Sequence, residues 1–305
     1  MLKVVIAIFC YGAAAAFVQT KRDRAHRGVV ITSYLTYADD PQRSLRMRPS
    51  FNYLANFWNT AQHLGLDVLV IHSGLPQDFI QQQSTSRIRF KQVTAVTNWS
   101  TNDYRFKAYY ALVTELMQYT HILVCDISDV FFNSNPFLFM TTKPTKSMFL
   151  SLDHGRFNKS AWKVDECYKE EAVMWNQSKL MFNAGVWGGK VADVVCVLRC
   201  IKQELERILY ARNTSYNCNM PVYNWCISHG HCFDGKSVQV GEFVNPWREH
   251  CLKNFPVIHN KCFDTENRIC VHTHRSSFVV RDSAGSECTK VPSRHFYSPW
   301  KSAMN

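Results

Sequence analysis

The sequence predicts an α/β fold: a mixed, mostly parallel sheet flanked by helices, followed by a disulfide-rich C-terminal half. Three observations predict it. Short runs rich in β-branched residues alternate with stretches of helical periodicity through the first 150 residues, the pattern that builds layered parallel sheets. Apolar residues make up 46% of the 305, enough to offset the entropy of folding, while Gly (12) and Pro (10) are too few for a low-complexity chain. Ten of the 12 cysteines fall between Cys167 and Cys288.

The elements follow in order. GVVITSYLT, from Gly28, reads as a strand. After Pro49, the residues Leu54, Phe57, Trp58, Ala61 and Leu64 recur at helical spacing, and Gly65 is placed to stop that helix. DVLVIHSG, from Asp67, gives the next strand, and residues 86–93 another. STND at 100–103 offers caps for a helix whose inner face carries Phe106, Tyr109, Tyr110, Val113, Leu116 and Met117. HILVC at 121–125 is short and mostly apolar, as expected for a central strand covered on both faces, and SMFLSL at 147–152 is similar. From 191 to 209 a stripe of Val191, Val194, Val195, Leu198, Ile201, Leu205 and Ile208 predicts a long helix. No repeat or obvious linker interrupts residues 28–305, which read as one domain.

The N-terminus points to the secretory pathway. Lys3 precedes an apolar run from Val4 to Val18 that ends in the small residues Ala13 to Ala16, the pattern of a cleaved signal peptide over residues 1–19. The rival is a short signal anchor; the run is shorter than a spanning helix needs, and the basic cluster Lys21, Arg22, Arg24 and Arg27 lies on the wrong flank. Residues 20–27 read as a basic tether. Sequons at Asn98, Asn158, Asn176 and Asn213 agree with a lumenal or secreted chain. Cys10 leaves with the leader and Cys125 ends a buried strand, so ten cysteines remain for up to five disulfides. A zinc site is disfavoured because no CxxC pair is present.

The chemistry concentrates at two places. Asp126 and Asp129 follow the most apolar strand, and ligands of open α/β sheets bind beyond the carboxyl ends of the strands. Two carboxylates so placed can converge on one hard divalent cation; the bland alternative is that one of them caps a turn. NAGVWGG, from Asn183 to Gly189, precedes the long helix and holds Gly185, Gly188 and Gly189, a quarter of the 12 glycines. Glycines around a helix start let backbone N–H groups approach a ligand, although they also make an ordinary turn. Arg105, read in the first turn of its helix, opposes the helix dipole, so another interaction should compensate it, for which a nucleotide is one partner; the bland alternative is a solvated side chain.

The order of these motifs resembles GT-A nucleotide-sugar glycosyltransferases: an Asp motif at a strand end, then a hydrophobic stretch and NPF, then an Asn-Ala-Gly segment about 55 residues later. VVITSYLT, LGLDVLVIHSGL and STNDYRFKAYYAL fit the same resemblance, which covers residues 28–275. It departs from the family in one respect, having Asp-x-x-Asp where Asp-x-Asp is usual. The resemblance implies that Asp126 and Asp129 hold Mn²⁺ or Mg²⁺ against the donor diphosphate. Asp129 is the stronger ligand candidate, and Asp126 either joins it, binds the ribose or orients Asp129. A histidine near the domain end often completes the set; His272, with His274 on the same face of an extended segment, would supply it and favour Mn²⁺. Arg275 or Lys261 would neutralise the diphosphate, and Asn183 and Asn219 to Pro221 would contact the donor sugar.

The function so implied is transfer of a sugar from a UDP- or GDP-sugar to a hydroxyl of a glycan or glycoprotein acceptor. An inverting enzyme needs a carboxylate base, for which Glu242, Asp234 and Asp193 are available; the NAGVWGG resemblance leans towards retention. The alternative is a secreted lectin-like or catalytically inactive protein of the same fold. The formal charge of +11 does not point to nucleic acid, because the Lys and Arg are spread along the chain. A membrane partner follows only if the N-terminal segment is an uncleaved anchor.

Overall fold

Val, Ile and Thr crowd the segment after Gly28, where branched side chains fit a pleated surface, and this run forms strand β1 (Gly28–Leu35). The computed structural model describes residues 27–40, 45–96, 98–156, 164–168, 180–212, 217–230, 232–240, 243–244 and 256–259. The other strands are β2 (Asp39–Asp40), β3 (Leu45–Arg46), β4 (Asp67–Ser73), β5 (Ile88–Gln92), β6 (His121–Cys125), β7 (Val130–Phe132), β8 (Met148–Arg156), β9 (Leu180–Lys190), β10 (Val238–Val240) and β11 (Val257–His259). One seven-stranded sheet has the order β10-β8-β9-β6-β1-β4-β5, and β2-β3 and β7-β11 make separate ribbons. β1 runs parallel to β4 and β6, β4 to β5, and β10 to β8; β9 runs against both of its neighbours, β6 and β8. The sheet is mixed and mostly parallel, as the alternating pattern predicts.

Helices cover both faces: α1 (Phe51–His63), α2 (Gln77–Gln83), α3 (Thr101–Ala111), α4 (Val113–Leu116), α5 (Pro136–Thr141), α6 (Val164–Tyr168), α7 (Val191–Arg212) and α8 (Asn219–His229). Strand alternation divides the core in two. Val29 and Ile31 of β1 pack with Phe106 and Tyr109 of α3 and with Val194, Leu198 and Ile201 of α7. Val30 and Tyr34 point the other way, to Leu54, Phe57 and Ala61 of α1. Each such side chain contributes about 1.5–3 kcal/mol on burial.

The helix ends show how local sequence sets the boundaries. Gly65 stands at φ 61° after α1; its N–H donates to Gln62 O at 3.0 Å, and that of Leu66 to Ala61 O at 2.9 Å. This double bond closes the helix and favours glycine at the left-handed position. Ser100 caps α3, its Oγ accepting from the Asp103 N–H at 3.1 Å. The predicted inner face of that segment holds for Phe106, Tyr109 and Leu116, but Met117 is 59% exposed, because the helix breaks at Leu112 and the phase is lost. The whole predicted stripe of α7 is buried.

The largest departure from the sequence reading is NAGVWGG. It is not a loop opening a helix but the carboxyl half of strand β9, which leads straight into α7. Small residues there give no period-2 apolar signal, so strand and turn look alike in sequence.

Three disulfides join α6, α7 and the residues around α8: Cys167–Cys218, Cys196–Cys232 and Cys200–Cys226. Cys125 is a free, buried thiol whose pKa burial pushes well up, which makes it unreactive. Cys251, Cys262, Cys270 and Cys288 lie outside the described residues, as do the leader, the tether up to His26, and Asn158, Asn176 and Asn213. Among the described residues no helix is long and apolar enough to cross a membrane.

Candidate metal centre

β6 is apolar up to Cys125, and the ladder to β9 runs one residue further, the Asp126 N–H donating to Gly185 O at 2.7 Å. Buried Ile127 anchors the turn that follows, and Asp129 leads into β7. β7 is fixed to α1, since the Phe132 N–H donates to Thr60 Oγ1 at 3.1 Å and the Phe57 and Phe132 rings pack 5.5 Å apart. β11 then pairs antiparallel with β7 and sets His259 opposite Val130, next to Asp129.

Three side chains therefore converge beyond the carboxyl end of the central strand. His259 Nε2 lies 3.5 Å from Asp126 Oδ2 and 3.6 Å from Asp129 Oδ1. One ligand atom from each of Asp126, Asp129 and His259 falls within 4.8 Å of the others. Two carboxylate oxygens and an imidazole nitrogen form a donor set suited to Mn²⁺.

The neighbours explain how this cluster fits. A Cβ at Gly185 would stand 2.6 Å from both Asp126 Oδ2 and His259 Cε1, so only glycine lets β9 pass this close. Buried Asn183 holds the strand there: its Oδ1 accepts the Gly185 N–H at 2.7 Å and its Nδ2 donates to Asp153 Oδ2 at 3.4 Å. Arg105 Nη1 donates to Asp126 Oδ1, and both side chains are mostly buried.

Electrostatics follow from burial and these contacts. Burial alone would lower the Arg105 pKa, but Asp126, together with Tyr109 and Asp103, outweighs it and the net direction is up. Burial also works against a charged His259; Asp129 and Asp126 outweigh it and hold the imidazole at about 9. Without a cation, His259 is thus protonated at neutral pH and balances part of the carboxylate charge.

The structure brings together Arg105, Asp126, Asp129, Asn183 and Gly185, and gives other roles to Gly188, Gly189, Asn219, Asp193 and Asp234. Arg105 sits in the second turn of α3 rather than the first, so its compensation is Asp126 and not a response to the helix dipole. Gly188 and Gly189 lie within the sheet, paired with Leu123 and Ile122 of β6, and a side chain there would strike the Ile122 and Ser147 carbonyls. Asn219 belongs to a different cluster, its amide donating to Asp103 Oδ1 at 3.3 Å and to Asn217 Oδ1 at 2.6 Å. Asp193 is in the first turn of α7, and Asp234 caps a short turn through the Lys236 N–H at 3.1 Å. His272, His274, Arg275, Lys261 and Glu242 lie outside the described residues.

The residue that sequence reasoning missed is His259. Its signal was PVIHN, an apolar pair ending in a polar ligand type, the same arrangement on a smaller scale as HILVC before Asp126. Asp153, inside the SMFLSL strand's extension, was also missed.

No protein-family model matches the chain, and a search of curated proteins returns no match to its sequence. The chemistry of the site rests on its own geometry.

Proposed function

We propose that the chain is a metal-dependent glycosyltransferase of the secretory pathway, moving a sugar from a UDP- or GDP-sugar to a hydroxyl of a glycan or glycoprotein acceptor. One observation carries this reading: Asp126, Asp129 and His259 converge at the carboxyl end of the central strand, where open α/β sheets bind their ligands. The donor set, with Gly185 letting β9 pass close to it, fits a divalent ion held by these three residues, with His259 taking the part expected of His272. Bound there, Mn²⁺ would supply Lewis-acid stabilisation of the departing nucleoside diphosphate.

The protein's own groups do the rest. Arg105 adds a permanent positive charge beside Asp126, which favours an anionic donor. The Asp153 carboxylate, held by the Asn183 amide, is an acceptor of the kind that holds sugar hydroxyls. Retention remains the favoured stereochemistry. The secretory placement draws on the three disulfides, which persist in oxidising compartments.

The test is a panel of UDP- and GDP-sugars with Mn²⁺, scored for hydrolysis and for transfer to glycan acceptors. Metal-dependent release of the nucleoside diphosphate is the expected result. UDP binding with no turnover on any donor would instead favour the sugar- or nucleotide-binding alternative, and neither binding nor turnover in folded protein would refute both.

A further inference from the structure

Arg105 is the unusual member of the cluster. A permanent cation lies against a group whose proposed partner is another cation. The guanidinium cannot shed its proton, so it neutralises Asp126 at every working pH. It does so through Asp126 Oδ1, while Oδ2 of the same carboxylate faces His259. Arg105 and a metal would therefore share one carboxylate from opposite oxygens, in a partly desolvated setting where like charges repel strongly. Two carboxylates cannot balance a dication plus a guanidinium; with a neutral imidazole ligand the loaded site carries one net positive charge. The fork also has spare capacity, because the buried Arg105 Nε has no hydrogen-bond partner among the described residues.

We propose, on the reading of this cluster as a metal centre, that Arg105 is a positioning and coupling residue: it makes the metal alone bind weakly and the metal together with a diphosphate bind strongly. The coupling is reciprocal, so the diphosphate should also wait for the metal. An arginine that merely held the fold together would act with the opposite sign on metal binding, since its loss would disorder the ligands and weaken the ion.

The experiment titrates the full folded chain with Mn²⁺ alone, read by EPR of the free ion, and then with UDP at saturating Mn²⁺, read by calorimetry. Arg105→Gln keeps a donor beside Asp126 and removes the charge; Arg105→Lys keeps the charge and loses the planar fork. We expect Mn²⁺ alone to bind Arg105→Gln about tenfold tighter than the natural protein, with Arg105→Lys, which keeps the charge, close to the natural protein, and UDP to bind Arg105→Gln about tenfold more weakly. If Arg105→Gln fails to fold, Arg105→Met, which also removes the charge, takes its place. Unchanged or weakened Mn²⁺ binding in the charge-free variant that folds overturns the proposal, as does unchanged UDP binding in it. Asp129→Asn separates the two levels of inference. If it abolishes Mn²⁺ binding while the charge-free Arg105 variant shows no tightening, only the coupling fails; if Mn²⁺ binding survives Asp129→Asn, the metal-centre reading and the coupling fail together.

Discussion

Helix α3 carries two buried charges two residues apart, and their surroundings differ in kind. Asp103 is 2% exposed and is met by neutral donors, the Cys218 N–H at 3.0 Å and the Asn219 amide at 3.3 Å. Those contacts fasten the start of α8 to α3, beside the Cys167–Cys218 disulfide. Arg105 instead meets a carboxylate that also faces His259, with Asp129 a further 3.6 Å from the same imidazole. A buried charge satisfied by fixed dipoles fastens one element to another. Opposite charges gathered where Gly185 passes close by are placed to bind an ion, because their mutual balance would change when it arrives.

If the comparison is sound, the two clusters should respond to mutation in opposite ways. The largest effect is expected at Asp129→Asn, which should lower Mn²⁺ affinity by about 100-fold or more. Its melting temperature should change little, so calorimetry of binding and of unfolding on one sample checks both halves. Next is Asp103→Ala, which leaves two buried donors unmatched and should cost about 2–3 kcal/mol in denaturant unfolding, with Mn²⁺ affinity within about twofold of the natural protein. Loss of metal binding equal to that of Asp129→Asn would erase the distinction between the clusters. Gly185→Ala should come third: its methyl would press on Asp126 and His259 at 2.6 Å, displacing ligands and weakening Mn²⁺ about tenfold.

The smallest effect concerns a buried ionisable group that has neither kind of partner among the described residues. His72 is 3% exposed, packs against Phe90, and has no hydrogen-bond partner at Nδ1 among those residues. Burial lowers its pKa below the ordinary 6.5, so the unfolded chain takes up the proton first. Its contribution to stability is present above pH 6.5 and is lost as the pH falls through the folded-state value. Thermal melts between pH 7.5 and 5.5 should show the natural protein losing a few degrees relative to His72→Leu as the pH falls, with the pH response of His259 common to both; an identical slope in both proteins would contradict the assignment.

Much of the fold was legible because it is written in periodicity. β1, β4, β6 and α7 were readable from apolar runs and stripes, and Gly65 and Ser100 from helix-end chemistry. What escaped depends on contacts distant in sequence. β9 hides its strand character in small residues that the close approach to β6 and to Asp126 and His259 demands. β11 is three residues long and becomes a strand by pairing with β7, with a further bridge from Val257 to Val244. His259 enters the site through that pairing, 130 positions after Asp129, and no local pattern fixes such a contact. The Asp pair was visible as a motif, whereas Arg105 was singled out for a helix-dipole conflict that its place in the second turn removes.

The central claim is that Asp126, Asp129 and His259 bind one divalent ion, and pulsed EPR of the Mn²⁺-loaded protein tests it most directly. Nitrogen coupling from one directly bound imidazole should be present and should vanish in His259→Gln. Absence of that coupling in the natural protein, or its persistence in His259→Gln, would contradict the account; persistence would return the ligand role to another histidine such as His272.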